Sequence, residues 1–260
     1  MESFLLFHLY GPMASWGEVA VGELRPSDLH PTRSALLGLL AAALGLRRTD
    51  RDDLAALGAG VRFAVRVDSA GVPLADYHTA QVAPPERKRP AFTRADQLRA
   101  RRDGLQTILS RRDYRCDALY TIAARPADPA PRWPLTALQE ALERPVFPLY
   151  LGRKSCPLAL PLAPRLLEAA TLMDAFAQVS PPELVQRHLG LLPPEQAALF
   201  WDGEAAGMNE AARRSVRRRD DPDPRRARAF RVRWEHSAPP APRPLDEEEP
   251  DVLEPDSIVP

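Results

Sequence analysis

"HPTRSALLGLLAAALGL" fills residues 30–46, and how it is read decides the fold. Leu36, Leu37, Leu39, Leu40, Ala43 and Leu44 recur at helical spacing, and Thr32 or Ser34 can cap the first turn through its hydroxyl. The segment reads as a helix with one broad apolar face. Upstream, "SFLLFHLYG" (3–11) is an apolar run of strand length that ends in a turn. Downstream, "TDRDDLAALG" (49–58) reads as a short capped helix ending at a glycine, and "VRFAVRVD" (61–68) alternates apolar and basic residues as a half-exposed strand does. The first unit is therefore strand–helix–strand.

A second unit of the same kind follows. "DYHTAQVA" (76–83) reads as extended, and "YRCDALYTIAA" (114–124) resumes a strand pattern. "PLTALQEALERP" (134–145) is a helix that Pro145 ends, and "VFPLYLGRKSCPLALPLAP" (146–164) opens as a short strand before a Gly turn. Between them, residues 84–113 are Arg-rich, open with prolines and lack a sustained apolar face, as a projecting insertion does. The whole reads as an α+β chain: a ferredoxin-like (RRM-like) βαββαβ domain with an Arg-rich insertion and a less regular C-terminal part. The expected division is 1–164 for that domain, 165–236 for a helical and strand region, and 237–260 for a disordered, acidic, Pro-rich tail.

The formal net charge of zero hides an asymmetry. Seven acids and no Lys or Arg follow Arg243, which leaves residues 1–243 with a formal +7. Lys88 and Lys154 are the only lysines. Arg supplies a planar fork for phosphate and a flat face for bases. No apolar run approaches the ~18 residues of a membrane span, and the start has no basic n-region or cleavage site, so a cytoplasmic location with no membrane role is expected. Cys116 and Cys156 lie forty positions apart without CxxC spacing, which reads as two reduced, buried thiols. No metal or cofactor is expected.

The basic clusters are the first candidates for chemistry. Residues 87–115 hold ten basic and three acidic side chains, with Phe92 and Tyr114 interleaved and Tyr77 shortly before. Cations along a groove plus stacking rings suit single-stranded nucleic acid, and a solvated charged loop is the plainer alternative. The 213–233 cluster has more local acids and reads as a solvated face. Arg33 and Ser34 open a helix, where free N–H groups and the dipole favour an anion, although ordinary capping uses the same residues. Arg153, Lys154 and Ser155 follow Gly152 as consecutive donors of a turn that can cradle phosphate. Trp16, in "GPMASWG" (11–17) between Gly11 and Gly17, is either a plate that meets a base or a plug beneath the loop. Tyr77, His78 and Lys154 are of types that can supply the general base, general acid and cation that RNA cleavage through the 2′-OH uses. Neighbours on a strand face opposite ways, however, so Tyr77 and His78 do not share one substrate face.

The series "GPMASWG … HPTRSALLGLLAAALG … DYHT … YRCDA … YLGRKSCPL" resembles the CasD-type subunits of the type I-E CRISPR Cascade complex, within the RAMP superfamily. The likeness runs from about residue 3 to 162 and is specific through its combination of motifs. It implies a non-catalytic RNA-binding role in antiviral DNA targeting: a ferredoxin-like domain with a projecting thumb, here 84–113, gripping the 5′ handle of the crRNA. The implied partners are the CasC-type backbone subunit, the CasA-type large subunit and the other Cascade subunits, with target DNA met indirectly. The type I-C relative cleaves repeat RNA itself with Tyr, His and Lys, which supplies the endoribonuclease alternative. The residues expected at the RNA are Trp16, Arg33, Ser34, Tyr77, His78, Lys88, Arg111, Arg112, Tyr114, Arg115, Arg153, Lys154 and Ser155.

Overall fold

Residues 4–9 are buried in unbroken succession, so strand β1 (Glu2–Tyr10) has core on both of its faces. The computed structural model describes residues 1–18, 20–82, 93–99, 104–189, 191, 197–204, 213–223, 226 and 229–238. After β1 come the short strands β2 (Met13–Ala14) and β3 (Leu24–Arg25), and helices α1 (Arg33–Ala43) and α2 (Arg51–Gly60). Thr32 caps α1 by accepting from the Ala35 amide, and Leu36, Leu37, Leu39, Leu40 and Ala43 form its buried face. Strands β4 (Val61–Ser69) and β5 (Val72–Val82), helix α3 (Arg94–Arg99) and strands β6 (Gln106–Cys116) and β7 (Leu119–Pro126) follow. Helix α4 (Leu135–Glu143) buries Leu135, Leu138 and Leu142 at helical spacing. The chain continues through β8 (Arg165–Ala169), α5 (Leu172–Ala177), α6 (Glu183–Leu189), β9 (Ala198–Trp201), β10 (Arg214–Pro222) and β11 (Phe230–Ala238).

Two sheets result, and the fold is α+β with a large antiparallel sheet. The larger has seven strands in the order β10–β11–β9–β4–β7–β1–β8, with every pairing antiparallel. Leu5, Phe7 and Leu9 of β1 face one side, against α1 and α4, and Phe4 and Leu6 face the other, against Phe176 of α5. The sheet is thus a middle layer between helices. The second sheet is a projecting arm: β5 and β6 pair along eleven residues from Val72↔Cys116 to Val82↔Gln106. Short β2 and β3 line the other edge of β6.

The arm grows directly out of the larger sheet. The β4–β7 ladder ends at Ser69↔Leu119, and the β5–β6 ladder begins three residues further on. Gly71 (φ +63°) and Asp117 (φ +56°) sit at this joint in the left-handed region. A Cβ on Gly71 would collide with the Cys116 carbonyl and with Ala118, so the two ribbons bend closely only where one residue lacks a side chain.

Several expectations change. Of the insertion expected at 84–113, residues 106–113 are strand β6 rather than loop and 94–99 are helix α3, while 84–92 and 100–103 lie outside the described residues. The strand expected over 114–124 is two strands broken at Asp117. Residues 146–164 hold no strand, only an isolated Tyr150↔Pro157 bridge, because their prolines cannot donate to a ladder. The neighbour of β1 on that side is β8 instead. The boundary expected at 164/165 falls just before β8, and β8 to β11 all belong to the larger sheet, so that sheet runs through it. Strand β4 is not half-exposed: it lies inside the sheet, and Arg66 is buried. Ser237 and Ala238, expected to start the tail, end β11, and the remainder of the tail lies outside the described residues.

Arg66 shows how the sheet tolerates a cation. Its Nε donates to Asp68 Oδ1 at 2.6 Å, and its terminal nitrogens reach Thr121 Oγ1 and the carbonyls of Phe176 and Val179 at the end of α5. Phe176 lies in the last turn of α5 and Val179 just beyond it, so Arg66 adds a side-chain donor to the C-terminal end of that helix. Burial raises the pKa of Asp68 while Arg66 and Thr121 oppose it. His8 shares Thr121 Oγ1 at 3.1 Å, and burial beside the Arg66 cation pushes its pKa down to about 4.

Candidate nucleic-acid interface

The start of α1 presents the amides and the dipole that make an anion site, and an anion of the protein already occupies it. Asp220 Oδ2 accepts from the Arg33 amide at 2.8 Å. The Arg33 side chain is buried and equally engaged. Its Nε donates to Asp221 Oδ1 at 3.0 Å, one terminal nitrogen to Asp202, and the other to the carbonyls of Gly58 (2.5 Å) and Val61 (3.2 Å). Phe63 lies beneath the guanidinium at 5.7 Å. Arg33, expected at phosphate, is therefore an internal strut. Ser34 sits beside it, half-buried, with its hydroxyl 3.1 Å from that of Thr32.

Two of the three acids that hold Arg33, Asp220 and Asp221, come from the 213–233 cluster expected to be a solvated face. Asp220 also receives Arg233 at 2.7 and 2.8 Å, and Arg233 reaches Glu235 at 2.6 Å. Arg218 joins Glu235 at 3.0 Å and also pairs with Asp28. His30 lies 3.3 Å from Glu235 and stacks on Phe200 with centroids 3.8 Å apart. Burial opposes the Glu235 charge, but His30, Arg233 and Arg218 outweigh it and hold the pKa at about 2. In the sequence Asp220 and Asp221 count only as local acids of that solvated face, and Asp202, His30 and Glu235 carry no reading. The available signal was the alternation of acids with arginines in "RRRDDPDPRR" (217–226), which suits internal pairing better than a solvated face.

Trp16 is 1% exposed and packs edge-on against Tyr120, with centroids 5.6 Å apart. Its amide donates to Ser27 Oγ at 2.9 Å. It is the plug beneath its loop, and no base can stack on it. Gly11 is needed there because a Cβ would meet the Pro157 carbonyl at 2.6 Å, whereas Gly17 faces open space and has no positive φ.

The Gly152 turn is built as its sequence suggests, but it holds the arm as well as facing outward. Gly152 has φ +82°, and a Cβ there would lie on the Ser15 carbonyl. Arg153 turns inward: its guanidinium carbon sits 4.6 Å from the Tyr114 ring centroid, and it donates to the Arg25 carbonyl at 3.0 Å. Tyr114 is buried at the arm base under that cation, and so is not a stacking plate. Lys154 and Ser155 are exposed. Cys156 is buried and Cys116 half-buried, both as free thiols; burial raises the Cys156 pKa.

The arm itself brings the remaining candidates together. The ladder sets Tyr77 opposite Arg111, and His78 opposite Ser110. Directly opposed residues share a face, so Tyr77 and Arg111 stand side by side while His78 faces the other way. Tyr77 is 68% exposed, and the Arg111 side chain is 59% exposed with Asp113 at 3.3 Å. On the reverse face His78 lies 3.6 Å from Asp76, and Arg112 donates to Ser110 Oγ at 3.2 Å. Arg115, at the base, donates to the carbonyls of Asp28 and Ala70 and fastens the arm to the body. Lys88 lies outside the described residues.

The accessible set is therefore Tyr77, Arg111, Lys154 and Ser155 with the partly covered His78 and Arg112, and the buried set is Trp16, Arg33 and Tyr114. An exposed ring beside a guanidinium can stack a base and hold its phosphate. Among the described residues no three or more His, Cys, Asp or Glu side chains are arranged to hold a metal ion, and no helix is long and apolar enough to cross a membrane.

Residues 4–239 match the family described as CRISPR-associated protein (Cas_Cas5). The CRISPR system Cascade subunit CasD of Escherichia coli (strain K12) is 37% identical over 194 residues, which cover 70% of this chain and 79% of that protein. A chain of a solved "CRISPR RNA-guided surveillance complex" is 26% identical and superposes with a TM-score of 0.59, over 91% of this chain and 90% of that one. A second solved structure, "Crystal structure of Cas protein", is 29% identical with a TM-score of 0.53, over 91% and 95% of the two chains.

Proposed function

The chain belongs to the CRISPR-associated Cas5 family, and from that premise we propose that it is the CasD-type, non-catalytic RNA-binding subunit of a type I-E Cascade complex. In this reading it grips the 5′ handle of the crRNA in the cytoplasm. It links the CasC-type backbone to the CasA-type large subunit alongside the other Cascade subunits, and meets target DNA only through them. A ferredoxin-like (RRM-like) half suits that role. It is supported by the central order β4–β7–β1–β8, and by α1 and α4 packing on the same face as two β–α–β crossovers require.

The observation that carries the proposal is the outward pair Tyr77 and Arg111 on an arm that stands clear of the larger sheet. Single-stranded RNA is held by this combination of ring and cation, with Lys154 and Ser155 as further outward donors near the arm base. The non-catalytic part rests on Tyr77 and His78 pointing to opposite faces, so that no acid–base pair is formed by these neighbours.

The test is fluorescence anisotropy with a labelled type I-E handle RNA against a scrambled RNA. Wild-type protein should prefer the handle. Tyr77→Ala should weaken binding by about 1–3 kcal/mol, and Arg111→Glu should shallow the log–log salt slope by about 0.7 for one lost single-strand phosphate. Equal binding of both RNAs would overturn handle recognition. Metal-free incubation with repeat RNA completes the test: site-specific cleavage abolished by His78→Ala would make the protein an endoribonuclease instead.

A further inference from the structure

The β10–β11 hairpin has two faces that differ sharply in charge. Asp220, Asp221, Arg218, Arg233 and Glu235 point inward to the network around Arg33. The ladder puts Arg217 opposite Trp234, and Ser215 opposite His236, on the other face. Val232 and Phe230 follow Trp234 on that face by strand alternation. Trp234 is 57% exposed, and Val232 and Phe230 are exposed with it. The Arg217 guanidinium carbon lies 6.0 Å from the Trp234 ring centroid, and Arg219 Nε donates to the Phe230 carbonyl at 3.2 Å. Among the described residues no carboxylate pairs with Arg217 or Arg219. The inward turn of the acids thus leaves an outer face with exposed cations and an exposed ring.

His236 stands on the same face as Trp234, two positions along the strand. His236 packs on Trp201 with centroids 5.8 Å apart, and Trp201 is buried in the cluster beside Phe4, Leu6 and Phe176. The core layer under α5 therefore continues outward through Trp201 and His236 toward Trp234, which stays exposed beside Arg217. A protein partner that covered this face would bury two guanidiniums for which the face supplies no counter-charge. A nucleic-acid strand brings a phosphate for each guanidinium and a base for the ring.

We propose that the outer face of β10–β11 is a second single-stranded nucleic-acid site, separate from the arm, with Trp234 as the stacking plate and Arg217 and Arg219 as phosphate ligands. It goes beyond the handle-binding reading and does not depend on it. The recognition is by shape and charge, so the site takes a strand of any sequence.

The full-length chain permits a direct test, because Trp16 and Trp201 are buried and Trp133 is half-buried, leaving Trp234 as the most exposed indole. Addition of (dT)12 or (U)12 at low salt should quench Trp234 emission, measured as the difference between wild type and Trp234→Phe. A response to both oligonucleotides assigns a site blind to the 2′-hydroxyl, and a response to one identifies its strand. Trp234→Ala should weaken oligonucleotide binding about five- to a hundredfold, the range set by one lost stacked base. Trp234→Phe should retain most of it, because the ring face is kept. Tyr77→Ala should leave the Trp234 quench unchanged. The proposal is overturned if neither oligonucleotide quenches Trp234, or if Tyr77→Ala abolishes the quench and shows a single site. Protection of Trp234 that appears only on assembly with other protein subunits would also overturn it, in favour of a protein interface. Loss of handle binding in Tyr77→Ala with no response at Trp234 would leave the functional reading intact while this inference fails.

Discussion

Arg33→Ala separates a strut from a ligand. The substitution removes donors to Asp202, Asp221, Gly58 and Val61 and leaves the Asp202 carboxylate buried without its cation. Asp221 keeps Arg231 at 2.9 Å and Asp220 keeps Arg233, so most of the loss falls on Asp202. Removing one partner of a buried pair costs about 3–5 kcal/mol. In a chain of this size that corresponds to a fall in Tm of about 6–20 °C. Neutralising the orphan tests the assignment: Asp202→Asn, which keeps an oxygen for the Phe63 amide, should recover about 1–3 kcal/mol in the Arg33→Ala background. The assay is urea and thermal unfolding of the four proteins of the cycle, with handle-RNA affinity measured well below each Tm. The folded fraction of Arg33→Ala should bind RNA as wild type does. A Tm within about 2 °C of wild type, with affinity down tenfold or more, would refute this reasoning and return Arg33 to the phosphate.

Trp16→Ala should cost about 3–5 kcal/mol in urea unfolding as a core cavity, with RNA affinity of the folded protein unchanged. Gly152→Ala should cost more than about 2 kcal/mol, from the left-handed φ and the Ser15 carbonyl in its way, and should speed hydrogen exchange at the Ser15 amide, which bonds to Leu151; Gly17→Ala, with open space around it, should stay within about 0.5 kcal/mol. His8 ties stability to pH: its folded pKa of about 4 lies below the ordinary 6.5, so between those values the unfolded chain takes up a proton that the folded chain refuses. Stability is then full above pH 6.5 and falls by about 3 kcal/mol as pH drops to 4, and His8→Gln should flatten this slope; Glu235 adds its own loss only between about 4.5 and 2.

The legible parts of the fold were those whose periodicity is local. Residues 3–11, 30–46 and 134–145 each carry their own pattern of burial, and each forms the expected element at nearly the expected place. The run 114–124 misled because its β-forming residues cross a bend that depends on one left-handed residue, Asp117, which composition does not mark. Arg66 misled because a basic residue in an alternating strand reads as solvent-facing, and its burial rests on Asp68 together with Thr121 and the carbonyls of Phe176 and Val179, the last two 110 and 113 positions away. Arg33 is the same case in the candidate site. A helix start with an arginine binds an external anion and an internal one by the same chemistry, and Asp220 is too remote in sequence to be seen beside it. Tyr77 and Arg111 were recognisable as residue types, but their pairing required the arm's register.

The carboxylate clamp on α1 also bears on how the protein is made. Arg33 and Asp221 are separated by 188 positions, so about four-fifths of the chain leaves the ribosome before Arg33 meets its acids. Until then the amides at the start of α1 and the Arg33 cation are open to any polyanion in the cell, including the RNA abundant around a ribosome. Closure by β10 and β11 ends that exposure, and it comes late because long-range contacts form slowly. A product cut short before residue 202 would lack all three acids and present at Arg33 a cationic notch that the finished protein has sealed.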